Sequence, residues 1–164
     1  MLDFLFARDR GTAPVDRVGA ARYPVNGYHK LLEQEGYPGC TPLWGMLTCI
    51  DLKTGLRVWS VPLGEYPELT KLGIAPTGTE NFGGAMVTAG GLVFCSGTRD
   101  KRIRAFAADT GRALWAAELL WAGSAPPMSH PIGERQIVVP ATGDGKLGDT
   151  RGDASVAIAL PAEH

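Results

Sequence analysis

The sequence predicts an all-β fold built from antiparallel hairpins. Three observations support this: short β-branched and aromatic runs bounded by turn residues, an internal repeat, and no long helical pattern between the runs. From Trp44 onward, stretches rich in Val, Ile, Leu, Phe, Thr and Trp are each closed by Gly, Pro, Asp or Thr. The 22 glycines and 12 prolines of the 164-residue chain are spread among these stretches, which means many turns.

The expected strands are residues 45–50, 56–61, 85–88, 92–96, 103–107, 113–118, 127–130, 136–140 and 155–159. A single helical turn is expected over 65–72, because Pro67 suits a first helical position and Gly73 a C-terminal stop. Residues 1–39 read as an irregular N-terminal segment or linker. One short helix is expected there, where Tyr28, Leu31, Leu32 and Glu35 fall on helical spacing before Gly36. The β domain then runs over 40–161.

The repeat is the second support. Residues 49–59 (CIDLKTGLRVW) match residues 105–115 (AFAADTGRALW): Thr54, Gly55 and Trp59 recur as Thr110, Gly111 and Trp115, each 56 residues later. A strand followed by a tight turn whose Thr and Gly tolerate unusual backbone angles, then a second strand carrying a Trp, makes a unit that packs on a neighbour through its indole. Such units stack side by side, as in a propeller. Ala107 stands where the first copy has Asp51, so one turn-capping carboxylate is missing from the second.

Composition narrows the function. A formal charge of −1, with Lys and Arg dispersed among Asp and Glu, offers no basic surface for nucleic acid. No stretch approaches the ~20 consecutive apolar residues of a membrane helix, and the opening MLDFLFARDRG does not read as a secretion signal. Cys40, Cys49 and Cys95 form no CxxC pair, and three is an odd number for a disulfide framework. His29, His130 and His164 lack zinc-site spacing, and nothing brings a Cys to His130 as a nucleophile pair. The string GDGKLG over 143–148 satisfies GxGxxG, but no helix follows to carry a pyrophosphate, so nicotinamide binding is rejected. Arg151, Gly152 and Asp153 spell an adhesion tripeptide that belongs to the lead-in of the closing strand.

The pattern AxDxxTGxxxW, present at 49–59 with Cys for Ala, resembles the tryptophan-docking repeat of pyrroloquinoline quinone (PQQ)-dependent dehydrogenases. Three stretches, the first containing that motif, follow one another in the order seen at the end of that family's catalytic propeller: GYPGCTPLWGMLTCIDLKTGLRVW, NFGGAMVTAGGLVFCSGTRDKRIRAF and GDASVAIALP. The resemblance covers about residues 23–161. It implies an eight-bladed propeller with the quinone on the central axis above a calcium ion, of which about two and a half four-stranded blades are present. The family's calcium ligands, catalytic aspartate and quinone-contacting lysine lie in earlier blades and have no counterpart here. PQQ and calcium are therefore cofactors of the parent family, with neither expected on this chain alone.

Two places match the axial site by that resemblance. Asp100 looks like the aspartate that pairs with the quinone-contacting lysine, an electrostatic role supporting the reduced quinone; the alternative is a turn residue between two strands. The loop 142–148 is where relatives place a His or Trp against the cofactor, and here it carries Gly143 and Asp144. Trp59 and Trp115 are read as structural docking residues. Asn81, Gly83 and Gly84 are read as a place where glycines let inner strands crowd near the axis, the alternative being approach to a ligand at the axial end of a strand.

The resemblance implies a C-terminal fragment of an oxidoreductase acting on alcohol or sugar CH–OH groups, inactive alone and periplasmic. The alternative is a non-catalytic propeller scaffold or a degenerate remnant that keeps the Trp repeat. An incomplete ring exposes strand edges, so its expected partners are the remaining blades or further copies of itself.

Overall fold

The structure is a computed structural model, described here for residues 29–143 and 151–160. The chain divides into two compact units, Met1–Thr41 and Pro42–His164.

In the first unit the short helix expected before Gly36 does not form. From His29 onward the chain instead makes a small closed turn in which Leu32 bridges Pro38. The amide of Glu33 donates to the Tyr37 carbonyl (2.9 Å) and that of Gly39 to the Leu31 carbonyl (2.9 Å), while Gly36 turns the chain at φ 87°. A helix this short pays the cost of nucleation without enough bonds to offset it. Gly36, Pro38 and Gly39 punctuate the segment before it can lengthen.

Among the described residues, the second unit is antiparallel β with one helical turn. Its elements are β1 (Met46–Ile50), β2 (Arg57–Pro62), α1 (Pro67–Lys71), β3 (Ala85–Val87), β4 (Leu92–Cys95), β5 (Arg102–Ala107) and β6 (Ala113–Glu118). There follow β7 (Met128–Ile132), β8 (Arg135–Val139), β9 (Ala141–Thr142), β10 (Ala154–Ser155) and β11 (Ile158–Ala159). Sheet orders are β1–β2, β3–β4–β5–β6, β11–β8–β7 and β10–β9. This is a partial propeller: one complete four-stranded blade, flanked by a two-stranded half-blade before it and a three-stranded sheet after it.

The strand expected over 155–159 is two short strands. Ala154 and Ser155 pair with β9, whereas Ile158 and Ala159 pair with β8, so the chain changes sheets between them. The helical turn forms as α1, with Pro67 at its start and Gly73 just past its end.

The complete blade is covered on both faces, and the two-residue alternation of β4 shows how. Val93 and Cys95 join Leu63 and Phe106 in a core against Leu47 and Val61 of the half-blade. Phe94 points the other way, joining Ile103, Ala105, Leu119 and Val138 against Val156 and Ile158. Each fully buried Leu, Ile or Phe contributes about 1.5–3 kcal/mol. A sheet buried on both sides explains why β4 lacks the polar alternation of a half-exposed strand. No helix among the described residues is long and apolar enough to cross a membrane, which says nothing about crossing by strands.

Candidate functional site

The two repeat copies share their backbone bonding. In each, a bulge interrupts the ladder at the same place: Cys49 faces Trp59 and then Ile50 faces Arg57, as Ala105 faces Trp115 and then Phe106 faces Ala113. The turns match as well. Asp51 N–H donates to the Leu56 carbonyl and Ala107 N–H to that of Arg112, and both Gly55 and Gly111 stand at φ 71°. The Thr54 and Thr110 hydroxyls accept from the amides two residues on, at 3.3 and 3.4 Å.

Trp59 docks across the blade boundary. Its Nε1–H donates to the Ala108 carbonyl (2.9 Å) and its ring lies on the bare face of Gly111. Trp115 holds the equivalent place in the next blade and is 41 % exposed.

Against this repetition, Asp100 stands out because it does not recur. The Gly45 carbonyl accepts from the Leu63 amide and the Lys101 carbonyl from the Leu119 amide, 56 residues later, which puts Asp100 at the place of Trp44 and Arg104 at that of Thr48. Its carboxylate is thus particular to this loop and is not specified by the repeat.

The Asp100 side chain is 1 % exposed, and both its oxygens are in use. Oδ1 accepts from the Thr98 hydroxyl (2.6 Å), the Arg104 guanidinium (3.1 Å) and the Arg102 amide (3.3 Å). Oδ2 accepts from the Glu65 amide (3.0 Å) and from the second nitrogen of Arg104. A carboxylate offers about four lone-pair sites, so five donors saturate it. The fork of Arg104 on one carboxylate is the strong, geometrically specific form of ion pair.

Around this pair the site is a clamp. Glu65, held through its amide, reaches Arg102 with its own carboxylate (3.2 Å) and accepts from the Thr70 hydroxyl (2.8 Å), tying α1 to β5. Arg102 extends to Glu118 (3.1 Å). Tyr66 packs edge-on against Trp44 with ring centroids 5.3 Å apart and takes the Arg99 guanidinium over its face at 5.6 Å. Tyr66, Pro67, Glu68, Arg99, Asp100 and Lys101 line a depression of about 240 Å³. Lys101, at φ 55°, is the one non-glycine among the described residues in the left-handed region, a conformation that costs about 1–2 kcal/mol. Strain of this kind concentrates at loops whose shape is used.

Gly143 lies elsewhere, wedged against the Gly152 carbonyl with its amide donating to the Ala122 carbonyl (3.2 Å), and Trp121 lies flat on Gly152. Asp144 falls outside the described residues. Gly83 is hemmed in by the Ser96 and Gly123 carbonyls, and Asn81 Nδ2 donates to the Ser96 carbonyl (2.6 Å), which makes these residues crowded packing. Burial pushes the Cys95 thiol up to about 11, against a smaller opposing pull from the Arg104 charge, so at neutral pH it is a protonated core residue.

Sequence reasoning did not single out Arg104, Thr98, Glu65 or Arg102. The available signal was the alternation of Arg102, Ile103 and Arg104, which puts two cations on one face of a strand leaving the Asp100 loop. A quinone's carbonyl oxygens take N–H donors or cations, whereas calcium needs oxygen ligands with free lone pairs. Asp100 has none to spare, and among the described residues no group of three or more His, Cys, Asp and Glu side chains could hold a metal ion. The described residues therefore do not by themselves fit as holders of a calcium ion.

Residues 8–138 match the family described as glucose/ethanol/alcohol dehydrogenase, β-propeller domain, of the PQQ type. The chain is 37 % identical over 150 residues to a probable quinate dehydrogenase (quinone) of Xanthomonas campestris pv. juglandis, covering 87 % of this chain and 19 % of that protein. It is 38 % identical over 131 residues to quinoprotein glucose dehydrogenase A of Acinetobacter calcoaceticus, covering 77 % and 16 %. Among solved structures it is similar to the quinohemoprotein alcohol dehydrogenase of Comamonas testosteroni, with TM-score 0.54 and 26 % identity over 74 % of this chain and 17 % of that one. The chain thus spans less than a fifth of the length of these relatives.

Proposed function

Since the chain belongs to the PQQ β-propeller family of glucose, ethanol and alcohol dehydrogenases, we propose that it is the C-terminal part of an enzyme oxidising alcohol or sugar CH–OH groups and that it is inactive alone. The observation that carries this reading is the 37–38 % identity to quinone-dependent dehydrogenases over three quarters or more of the chain. In the complete ring the quinone and calcium would be held by blades outside this chain, in the periplasm.

The role proposed for Asp100 is positioning. Resemblance gives it a lysine from an earlier blade as partner, and here Arg104 already neutralises it. An arriving ammonium would share Asp100 by replacing the Glu65 amide or the Thr98 hydroxyl. Either way, Asp100 fixes the strained loop 98–101 that forms one wall of the depression. The non-catalytic scaffold reading is favoured by the saturation of Asp100, and the same experiment separates the two.

The chain is mixed with the preceding blades of the Xanthomonas relative, loaded with PQQ and calcium, and dye-linked oxidation of quinate, glucose, glycerol and ethanol is measured. Turnover of at least one substrate by the mixture and none by either part alone is the expected result. A folded, stoichiometric complex without turnover on any of them would favour the scaffold.

A further inference from the structure

We propose that the depression beside Asp100 binds the carboxylate of a small hydroxy acid, with Arg99 and Lys101 as the residues that recognise it. Its use as a substrate site rests on the reading of the chain as part of an enzyme oxidising CH–OH groups.

Charge is the first support. Asp100 lines the depression, but its carboxylate is engaged within the loop by the fork of Arg104, and that pair carries no net charge. The rest of the charged lining is two cations, Arg99 and Lys101, and one carboxylate, Glu68. An excess of a single positive charge suits a monoanion, whereas a dianion such as phosphate would bring its second charge against Glu68. The repeat does not supply these groups. At the same place 56 residues earlier the chain has Leu43, Trp44 and Gly45 instead of Arg99, Asp100 and Lys101.

Both cations also stand on a fixed base. The Arg99 amide donates to the hydroxyl of the fully buried Thr79 (3.2 Å), and its guanidinium lies over the face of Tyr66. Tyr66 is only 3 % exposed and is braced edge-on by Trp44. The planar fork of a guanidinium matches the two oxygens of a carboxylate. Lys101 donates its amide to the Thr98 carbonyl (3.1 Å) and accepts the Leu119 amide on its own carbonyl (2.7 Å), bonds that hold it at φ 55°. Groups positioned in advance lose little freedom when a ligand arrives.

Size and walls narrow the ligand further. At about 240 Å³ the depression is smaller than the roughly 300–1,000 Å³ of drug-sized sites, so it holds one small molecule. Tyr66 and Pro67 offer carbon surface to a ligand skeleton, and the Glu68 carboxylate is an acceptor for hydroxyl hydrogens. A compact, hydroxylated monocarboxylate satisfies all three walls.

Quinate and its uncharged methyl ester are the probes, titrated into the chain and followed by backbone amide shifts. Quinate is expected to move the Tyr66, Glu68, Arg99 and Lys101 amides saturably, and the ester to bind about tenfold or more weaker. Arg99→Gln, and Lys101→Asn with a residue that tolerates the left-handed region, should each weaken quinate about tenfold. Arg99→Lys, which keeps the charge and loses the fork, should fall between and repeats the test should Arg99→Gln misfold. In the mixture with the preceding blades, Arg99→Gln should raise the ratio of the quinate KM to the glycerol KM about tenfold. An ester or phosphate that binds as tightly as quinate, or variants that bind quinate like wild type, would overturn the proposal. PQQ displacing quinate from these amides would overturn the substrate role by giving the site to the cofactor. Binding by the chain without turnover by the mixture would uphold the carboxylate site and remove the enzyme reading, and quinate turnover without shifts at these amides would do the reverse.

Discussion

The two copies of the repeat have the same turn, the same bulge and the same indole, yet one indole is docked and the other is not. Trp59 bonds Ala108 and lies on Gly111, while Trp115 stands 41 % exposed. The local conformation is identical, so the turn and bulge are written in the eleven-residue motif itself. Docking depends on what the following sheet provides, and among the described residues the sheet after Trp115 has no outer hairpin. Local sequence builds the knob, and a neighbouring unit has to build the hole.

Substituting the two indoles gives the largest contrast. Trp59→Ala leaves a cavity between blades and an unpaired Ala108 carbonyl, for an expected loss of about 3 kcal/mol. Trp115→Ala at protein concentrations low enough to keep the chain monomeric should cost less than about 1 kcal/mol. Urea unfolding of both variants measures the difference. Equal losses would show that Trp115 is seated on something in the isolated chain.

The seats should differ in the same direction. Alanine at Gly55 pays only for its left-handed backbone, about 1 kcal/mol. At Gly111 the new methyl also meets the Trp59 ring, whose nearest atom lies 2.5 Å away, so a cost of about 2–3 kcal/mol is expected. The ratio of the two losses in the same unfolding experiment reports how tightly Trp59 is held.

What could be read from the sequence follows the same division between local and supplied. Strand positions and the repeat were legible because β-branched runs, Thr–Gly turns and indoles act within a few residues. The helix before Gly36 was misread: helical spacing over eight residues is a weak signal beside Gly36, Pro38 and Gly39. The break at Val156 and Ala157 was invisible, because it arises where the chain moves from β9 to β8 as partner. At the site, Asp100 could be picked from its loop, whereas its partners Glu65 and Arg104 come from different elements that only the folded blade brings together.

The docked side of the comparison also has a pH signature, through Cys95 in the core between the half-blade and the complete blade. Its thiol titrates from an ordinary value of 9.0 when unfolded and at about 11 when folded, because burial disfavours the thiolate. Below about pH 9 both states keep the proton and the contribution is constant. Between about 9 and 11 the unfolded chain ionises and the folded one does not, so stability falls by an amount on the order of 2 kcal/mol and then levels off. Cys95→Ala, which starts less stable, should lack that particular decline when its unfolding is followed over the same range. An identical slope in both would remove Cys95 as its source.

The smallest difference between the copies is the carboxylate at the turn. Asp51 Oδ1 accepts the Lys53 amide (2.8 Å) in the first copy, and Ala107 has no side-chain acceptor to offer Asp109 in the second. Because the two turns share their backbone bonds, Ala107→Asp should create the missing bond without moving the chain, adding about 0.5–1 kcal/mol, and Asp51→Ala should remove a similar amount. The second turn carries the seat of Trp59, so its gain should appear in global unfolding, whereas the first turn supports no indole and its loss should appear mainly as faster amide exchange at Lys53 and Gly55. A loss from Asp51→Ala that matches the global gain from Ala107→Asp would mean that the open seat at Gly55 is coupled to the core as firmly as the filled one.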